Sequence, residues 1–357
     1  MKENFDIEKK KLEKNILSNI YELKSYLYIP NEKPDFVVSH KHHSHQWGVE
    51  ITSIFFHESS ARLKRIKNYA LDLIDQGTYR HKDDKELLKV ETATLIRDGK
   101  EASKFKAILN ERPKIDNYLK IVFDVIKRKN NNYQKYRKDL THINLIINDE
   151  EDYFRSINSK DFQKLFFNDN ITHAIVKSRF REMYFLTTIN ESRNVFFPLK
   201  LMCFLTKFYK FNYMYREFYK DSKTKSSAKY LNYFIKYLYD IGMQDGYILL
   251  ENKHLSFYYA HSEITFENGK TNIFEKPDLI IPSEAKLFNE VVYDVTIEKE
   301  FEEYLNEEDK KFSYWVDLCF DSKKTATQSN TNENGNIKNI NGNELPRRKR
   351  TGYLTKC

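Results

Sequence analysis

The spacing of hydrophobic positions along the chain alternates between helical and strand-like periods. A stripe of leucines and isoleucines with lysines opposite predicts an amphipathic helix over residues 7–28. Two runs rich in β-branched and aromatic residues follow, at 36–38 and 47–56, and predict two strands joined by a turn. From Glu58 the hydrophobic spacing becomes helical again. The chain therefore begins with a helix, a strand pair and a second helix.

Helices and strands keep alternating up to about residue 205. The further elements predicted there are a helix at 114–137 and strands at 90–96, 143–147, 182–188 and 195–199. Because helices separate these strands and no long series of strands occurs, we expect an α/β or α+β core, with a mixed sheet flanked by helices. We assign residues 1–205 to this domain.

The character of the sequence changes after residue 205. A stretch rich in Tyr, Phe and Lys leads through a polar link to one more predicted helix. Short strand-like runs then follow at 247–250, 255–260, 264–267, 279–281 and 291–297. We expect a smaller C-terminal α+β unit at 206–321. Residues 322–357 form a low-complexity stretch with too few apolar residues for a core, and we expect a disordered tail there.

Composition narrows the class of protein. The 357 residues are 40% hydrophobic, which is enough for two folded units, and 60 Lys and Arg against 52 Asp and Glu leave a net charge of +8. This modest excess permits an anionic partner. The three cysteines are far apart, which disfavours disulfides and a cysteine-based zinc site. Without an apolar leader or a run of about 20 apolar residues, we expect a cytoplasmic protein with no membrane partner.

Two acidic residues in the first predicted strand pair are the candidates for chemistry. A hairpin whose turn is centred on residues 42 and 43 pairs residues whose numbers sum to 85, so that Asp35 lies opposite Glu50. Both side chains then point to one face of the sheet, together with Thr52. Facing carboxylates repel unless one is protonated or a cation lies between them. Mg²⁺ or Mn²⁺ suits such an oxygen-rich pair, and water on that ion can attack a phosphodiester.

The same region resembles the PD-(D/E)XK nuclease superfamily, with Pro34-Asp35, an apolar strand, a loop and then Glu50-Ile51-Thr52 ahead of a basic helix. The segments HINLIIND (142–149) and RFREMYFLTT (179–188) resemble later core strands, so the resemblance covers about residues 1–200. It implies a restriction-endonuclease-like fold with Asp35 and Glu50 as metal ligands. It also implies Mg²⁺- or Mn²⁺-dependent endonuclease or other nuclease activity, in antiviral defence or in repair.

The sequence departs from the superfamily's pattern at one position. The lysine that follows the glutamate by two positions, and helps to orient the attacking water, is Thr52 here. Either the lysine has migrated or the site is inactive. The candidates for a migrated lysine are Lys64 and Lys67 on the next helix and Lys41 at the hairpin, with Lys64 preferred. The superfamily often adds an acid from the first helix, which implies Glu22, in preference to Glu13, as a further metal ligand.

Basic clusters around the acidic pair predict contacts with phosphates. The nucleic-acid-binding candidates are Arg62, Arg65, Lys67, Lys127, Arg128 and Lys129. DNA is the preferred partner, with RNA as the other option, and residues 206–321 are expected to select the target or to contact a partner protein or a second copy. Two alternatives stay open: a catalytically inactive nucleic-acid-binding protein of the same fold, or a component of a larger complex.

Histidines are concentrated in the same region. Five of the ten lie between His40 and His57. A zinc site needs three or four ligands in a fixed geometry, usually with cysteine or acidic partners, and consecutive histidines in a turn point apart. We therefore interpret these residues as a polar loop.

Overall fold

The computed structural model describes residues 2–42, 45–190, 192–220, 227–251, 254–267, 270–276, 278–292, 294–307, 337–338 and 344–345. The chain divides into two compact units. The larger comprises residues Met1–Thr52 and Phe123–Cys357, and the smaller comprises Ser53–Val122.

The described helices and strands alternate along most of the chain. The helices are α1 (Lys2–Leu17), α2 (Glu58–Arg65), α3 (Tyr69–Gln76), α4 (Asp84–Leu87), α5 (Ile115–Asn132), α6 (Ser159–Phe166), α7 (Asp169–Val176), α8 (Leu199–Phe218), α9 (Ser227–Asp240), α10 (Phe288–Val292) and α11 (Lys299–Glu307). The strands are β1 (Tyr26–Pro30), β2 (Phe36–His40), β3 (Gln46–Ile54), β4 (Leu88–Arg97), β5 (Lys100–Asn110), β6 (Ile143–Asp149), β7 (Met183–Ile189), β8 (Ser192–Pro198), β9 (Tyr247–Glu251), β10 (His254–Tyr259), β11 (Ser262–Glu267), β12 (Lys270–Glu275), β13 (Lys286–Leu287), β14 (Ile337–Lys338) and β15 (Glu344–Leu345).

A six-stranded mixed sheet is the frame of the larger unit. Its strands lie in the order β1-β2-β3-β6-β7-β8. The first three strands pair antiparallel, β6 and β7 pair parallel, and β7 and β8 pair antiparallel. The expected mixed sheet with flanking helices is therefore present.

Side chains alternate along β2 and β3, so each strand has a hydrophobic face and a second face. Phe36 and Val38 lie on the hydrophobic face, opposite Val49 and Trp47 of the neighbouring strand. This face joins a buried cluster whose other members are Leu17, Ile20, Tyr21, Ile51, Ile146, Tyr184, Leu186 and Phe196. The positions in between, including that of Glu50, point to the opposite face of the sheet.

A second sheet also belongs to the larger unit. Its five strands lie in the order β12-β11-β10-β9-β13. Buried polar contacts join it to the first sheet: His261 Nε2 lies 2.8 Å from Asn144 Oδ1, and the Tyr184 hydroxyl donates to Glu275 Oε1 at 3.3 Å. Because buried polar groups need partners, these pairs fix how the two sheets meet.

Helix α8 begins at a buried carboxylate. The N–H groups of Lys200 and Leu201 donate to the carboxylate of Glu182 at 2.7 and 3.3 Å. Burial raises the pKa of Glu182 to about 8, although the hydrogen bonds from Lys200 and Met183 lower it.

Helix α8 continues without a break to Phe218. The expected domain boundary between residues 205 and 206 falls inside it, and the compact units divide the chain elsewhere.

The smaller unit contains the hairpin of β4 and β5 beside α2, α3 and α4. Its core is built on Tyr69, Leu73 and Leu88, which are fully buried. Arg62 Nη2 pairs with Asp84 at 2.6 Å, and the Tyr69 hydroxyl donates to the same carboxylate at 2.5 Å. These contacts hold the pKa of Asp84 at about 2 despite its burial.

Two local predictions need correction. The helix expected over 7–28 ends at Leu17, and Tyr26–Pro30 is instead an edge strand paired with β2. The leucines at 23 and 27 fit a helical stripe, yet both are exposed, because backbone pairing with β2 determines the structure there. The helix starting at Glu58 divides into α2 and α3 at Asn68, whose φ of 61° is left-handed.

The C-terminal predictions are confirmed in part. The runs at 247–250, 255–260 and 264–267 are strands, but residues 279–281 are not, and 291–292 close α10. The tail at 322–357 lies outside the described residues apart from β14 and β15, which pair with each other. Of the helices that the structure describes, none is long and apolar enough to cross a bilayer.

Aromatic packing around α6 gives the fold a direct test. Phe162 is fully buried, with its ring 4.1 Å from that of Phe197 and 4.7 Å from that of Phe154. We expect Phe162→Ala to lower the free energy of unfolding by about 3–5 kcal/mol, because it removes apolar contact and leaves a cavity. Urea unfolding followed by circular dichroism measures the change. Leu165→Ala, at a 38% exposed position of the same helix, is the control and should cost less than about 1 kcal/mol. Equal losses would contradict this packing.

Candidate functional site

The strand register predicted from the sequence is confirmed. Phe36 lies opposite Val49 and Val38 opposite Trp47, so paired residue numbers sum to 85. Asp35 immediately precedes β2 and therefore lies opposite Glu50. The backbone N–H of Ile51 donates to Asp35 Oδ2 at 2.9 Å, which fixes this carboxylate against β3.

A glycine lets the chain before Asp35 approach β3 closely. A Cβ atom at Gly48 would lie 2.4 Å from Pro34 Cγ and 3.1 Å from Leu140 Cδ1, so no other residue fits here without displacement. Asp35, Glu50 and Thr52 are each only 8% exposed. Two carboxylates are thus held side by side in a largely buried position, where unbalanced charge is costly.

Lys129 of α5 supplies one balancing charge. Its Nζ atom lies 2.5 Å from Glu50 Oε1, and the two side chains are 16% and 10% exposed. Glu50 Oε2 is buried and makes no hydrogen bond with any part of the chain that the structure describes. Such an orphaned oxygen has capacity for a further donor or a cation.

Lys10 of α1 balances the other carboxylate. Its Nζ atom lies 3.1 Å from Asp35 Oδ1 and 2.8 Å from Glu13 Oε2. Glu13 is itself only 8% exposed. The site therefore consists of three acids and two lysines contributed by α1, the β2–β3 pair and α5. We call this group the acidic site.

The surroundings of the acidic site shift the pKa values of Glu50, Lys10 and Tyr136. Burial and the charge of Asp35 raise the pKa of Glu50, while Lys129 and the hydroxyl of Tyr136 lower it. Burial tends to lower the pKa of Lys10, but its hydrogen bond to Glu13 and the charge of Asp35 outweigh burial and raise it. Lys10 therefore remains a cation at neutral pH. The pKa of Tyr136 is raised by burial and by Glu50, so its hydroxyl stays protonated and can donate.

The acidic site has a donor set that suits a hard cation. Mg²⁺ binds through one or two carboxylates and keeps several waters, so Asp35 and Glu50 meet its needs with Glu50 Oε2 still unpartnered. Within the described part of the chain, no group of three or more His, Cys, Asp or Glu side chains is arranged to hold a metal. If a divalent ion binds here, the two carboxylates would be its protein ligands.

The structure brings Asp35, Glu50 and Lys129 together, but not Glu22. Glu22 is exposed beyond the end of α1, where its charge acts on Tyr28. Among the described residues no contact joins it to the two facing carboxylates. Glu13, the less favoured candidate of the same region, is the acid that shares Lys10 with Asp35.

The basic candidates near residue 64 belong to the smaller unit. Lys64 and Lys67 are exposed. Arg62 is engaged by Asp84, and the Arg65 guanidinium lies 4.6 Å from the centre of the Phe55 ring. The contacts with Asp84 and Phe55 give Arg62 and Arg65 a structural role within the smaller unit.

The basic candidates on α5 have two different environments. Lys127 and Arg128 are exposed, whereas Lys129 is turned inward and pairs with Glu50. The sequence carries a signal for this difference. Val122, Ile126 and Lys129 share a helical stripe, and the first two are fully buried.

Sequence reasoning missed Lys10 and Tyr136 as members of the site. Lys10 lies in a run of three lysines, and nothing in its neighbours distinguishes it from Lys9 and Lys11. His57, which lies near the predicted site in sequence, accepts a hydrogen bond from Ser60 N and caps α2.

Comparison with protein-family models, curated proteins and solved structures finds no match to this chain.

The Lys129–Glu50 pair can be tested through the pH dependence of stability. We expect Lys129→Met to lower the free energy of unfolding by about 3 kcal/mol near neutral pH, because it leaves a buried carboxylate unpaired. Without Lys129 the pKa of Glu50 rises further, so the penalty is present above that pKa and fades as Glu50 becomes protonated. Urea unfolding at about pH 7.5 and about pH 5 should therefore show the larger loss at the higher pH.

Lys127→Met is the matched control for this substitution. It makes the same change on the same helix at an exposed position, and its effect should be small at both pH values. A loss for Lys129→Met that is the same at both pH values would contradict the assigned ion pair.

Proposed function

We propose that this protein is a metal-dependent nuclease whose active centre is the acidic site. The observation that carries this proposal is the pair of facing, largely buried carboxylates with a lysine ammonium at 2.5 Å from one of them. A nuclease of the PD-(D/E)XK type needs two acids and a lysine, and Thr52 leaves the lysine's usual position empty. Lys129 reaches the same carboxylate from α5 and replaces Lys64 as our candidate for the migrated lysine.

The residues of the site would divide the work as follows. Asp35 and Glu50 would hold Mg²⁺ or Mn²⁺, which when bound supplies a Lewis acid and an activated water for attack on phosphorus. Lys129 is placed to stabilise the negative charge that develops on the phosphate oxygens. Tyr136, protonated beside Glu50, can orient the carboxylate or donate to the substrate.

Nucleic acid is the substrate class that these features favour. Lys127 and Arg128 are exposed on the helix that carries Lys129, and cations in this position can bind phosphates on either side of the bond to be cut. DNA remains our preferred substrate, with RNA as the other option, and a role in defence or repair follows only from the resemblance. Assembly with a partner protein or a second copy is also part of the proposal.

Cleavage assays with purified protein test the proposed activity. Labelled single- and double-stranded DNA and RNA are incubated with Mg²⁺ or Mn²⁺. We expect cleavage that EDTA abolishes and that Glu50→Gln reduces by at least about a hundredfold, because one metal ligand loses its charge. Lys129→Ala should reduce cleavage strongly, whereas Lys120→Ala, at an exposed position of the same helix, should retain most of it. Cleavage that survives both EDTA and Glu50→Gln would refute this mechanism.

A specific observation also favours the second candidate, an inactive nucleic-acid-binding protein of this fold. Lys10 and Lys129 each form an ion pair with one of the two carboxylates, as they would in a site that only needs to be stable. This alternative predicts salt-dependent binding of nucleic acid and no cleavage with any divalent ion. In that case the pairs would serve stability, and Glu50→Gln would leave binding unchanged.

A further inference from the structure

A cavity of about 410 Å³ lies beside the acidic site in the larger unit. It is formed by the segment that links α5 to β6, together with Arg179 ahead of β7. Its volume is within the range of pockets that bind small organic ligands. Neither the carboxylate pair nor the two lysines of the acidic site line it.

The charge of this cavity selects for an anion. Arg137, Lys138 and Arg179 line it, and no acidic side chain is among the lining residues that the structure describes. Arg137 forms an ion pair with Asp139, which lies outside the lining. Lys138 and Arg179 are exposed and approach from two different segments of the chain. A phosphate group is the common biological anion that such a pair of cations binds.

Aromatic groups add a second kind of recognition. Tyr133, Tyr136 and His142 also line the cavity. The ring of His142 stacks on that of Trp47, with centroids 5.8 Å apart and an interplanar angle of 10°. Tyr133 and Tyr136 pack edge-on against each other, at 5.8 Å between centroids. The His142 ring also contacts that of His261, and Tyr136 is buried, so the half-buried Tyr133 is the ring that can receive a nucleobase. The entropy cost is low because this ring is already ordered by its neighbours.

Tyr136 connects the cavity to the acidic site. Its side chain lines the cavity, and its hydroxyl also acts on the carboxylate of Glu50. The two sites are therefore separated by no more than one tyrosine side chain. A nucleotide bound in the cavity would therefore be the neighbour, along a nucleic-acid strand, of the nucleotide whose phosphate lies at Asp35 and Glu50.

We propose that this cavity is a subsite for one nucleotide of a single-stranded nucleic acid, with its phosphate on Lys138 and Arg179 and its base against the aromatic lining. The position next to the cut bond rests on the proposed function, whereas the binding itself does not. Single strands are favoured because a base paired in a duplex cannot enter a cavity without being unstacked.

Binding measured in EDTA tests the subsite without interference from cleavage. Fluorescence anisotropy of a short labelled single-stranded DNA is followed for the wild type, Lys138→Glu and Arg179→Glu. We expect each variant to weaken binding by at least about tenfold, because it reverses a charge at the phosphate. Lys135→Glu is the matched control: the same change, three residues away in the same segment, at an exposed residue that does not line the cavity. It should weaken binding by less than about threefold.

Competition identifies what is recognised. Adenosine 5′-monophosphate should displace the labelled strand at lower concentration than adenosine or inorganic phosphate, and duplex DNA should displace it less well than the unlabelled single strand. Equal weakening by Lys138→Glu and Lys135→Glu would overturn the assignment to this cavity. Phosphate competing as well as the nucleotide would overturn the role of the base, and duplex competing as well as the single strand would overturn the preference for single strands.

The outcomes separate this inference from the proposed function. Binding that depends on Lys138 without any cleavage would leave the subsite in place and remove the nuclease. Cleavage that depends on Glu50, with Lys138→Glu and Lys135→Glu equally active and equally able to bind, would retain the nuclease and remove the subsite.

Discussion

The register between β2 and β3 is the constraint on which the site depends. It places Asp35 against Glu50, and a slip of one residue would turn Glu50 into the hydrophobic cluster. The bulk of Phe36, Val38 and Trp47 on the other face makes such a slip costly. The core thus secures the position of two charges that would otherwise repel each other.

The lysines show how the fold tolerates this repulsion. Lys10 lies on a helix that precedes the β2–β3 pair in the sequence, and Lys129 lies on a helix that follows it. Each lysine pairs with one carboxylate. The balance is incomplete, because the pKa of Glu50 remains raised and its Oε2 atom has no partner in the described structure. In the proposed function, this oxygen would bind a cation and the neighbouring ammonium an anion, as hydrolysis of a phosphodiester requires.

The sequence predicted the mixed sheet and the Asp35–Glu50 pairing because both follow from local patterns: strand periodicity and the position of one turn. It did not predict β1, whose residues fit a helical stripe and become a strand only through pairing with β2. It also did not assign Lys129 to Glu50, since 79 positions separate them and the helical stripe indicates that Lys129 points inward without identifying its partner. Long-range partners of charged residues are set by tertiary packing, which periodicity does not encode.

The location of Mn²⁺ in crystals tests most directly the proposed divalent-cation site at Asp35 and Glu50. Anomalous diffraction from crystals soaked in Mn²⁺ should show a peak at about 2.2 Å from an oxygen of each carboxylate, and this peak should be lost in Asp35→Asn. Ordered carboxylates that keep their contacts with Lys10 and Lys129, with no anomalous peak between them, would contradict the claim.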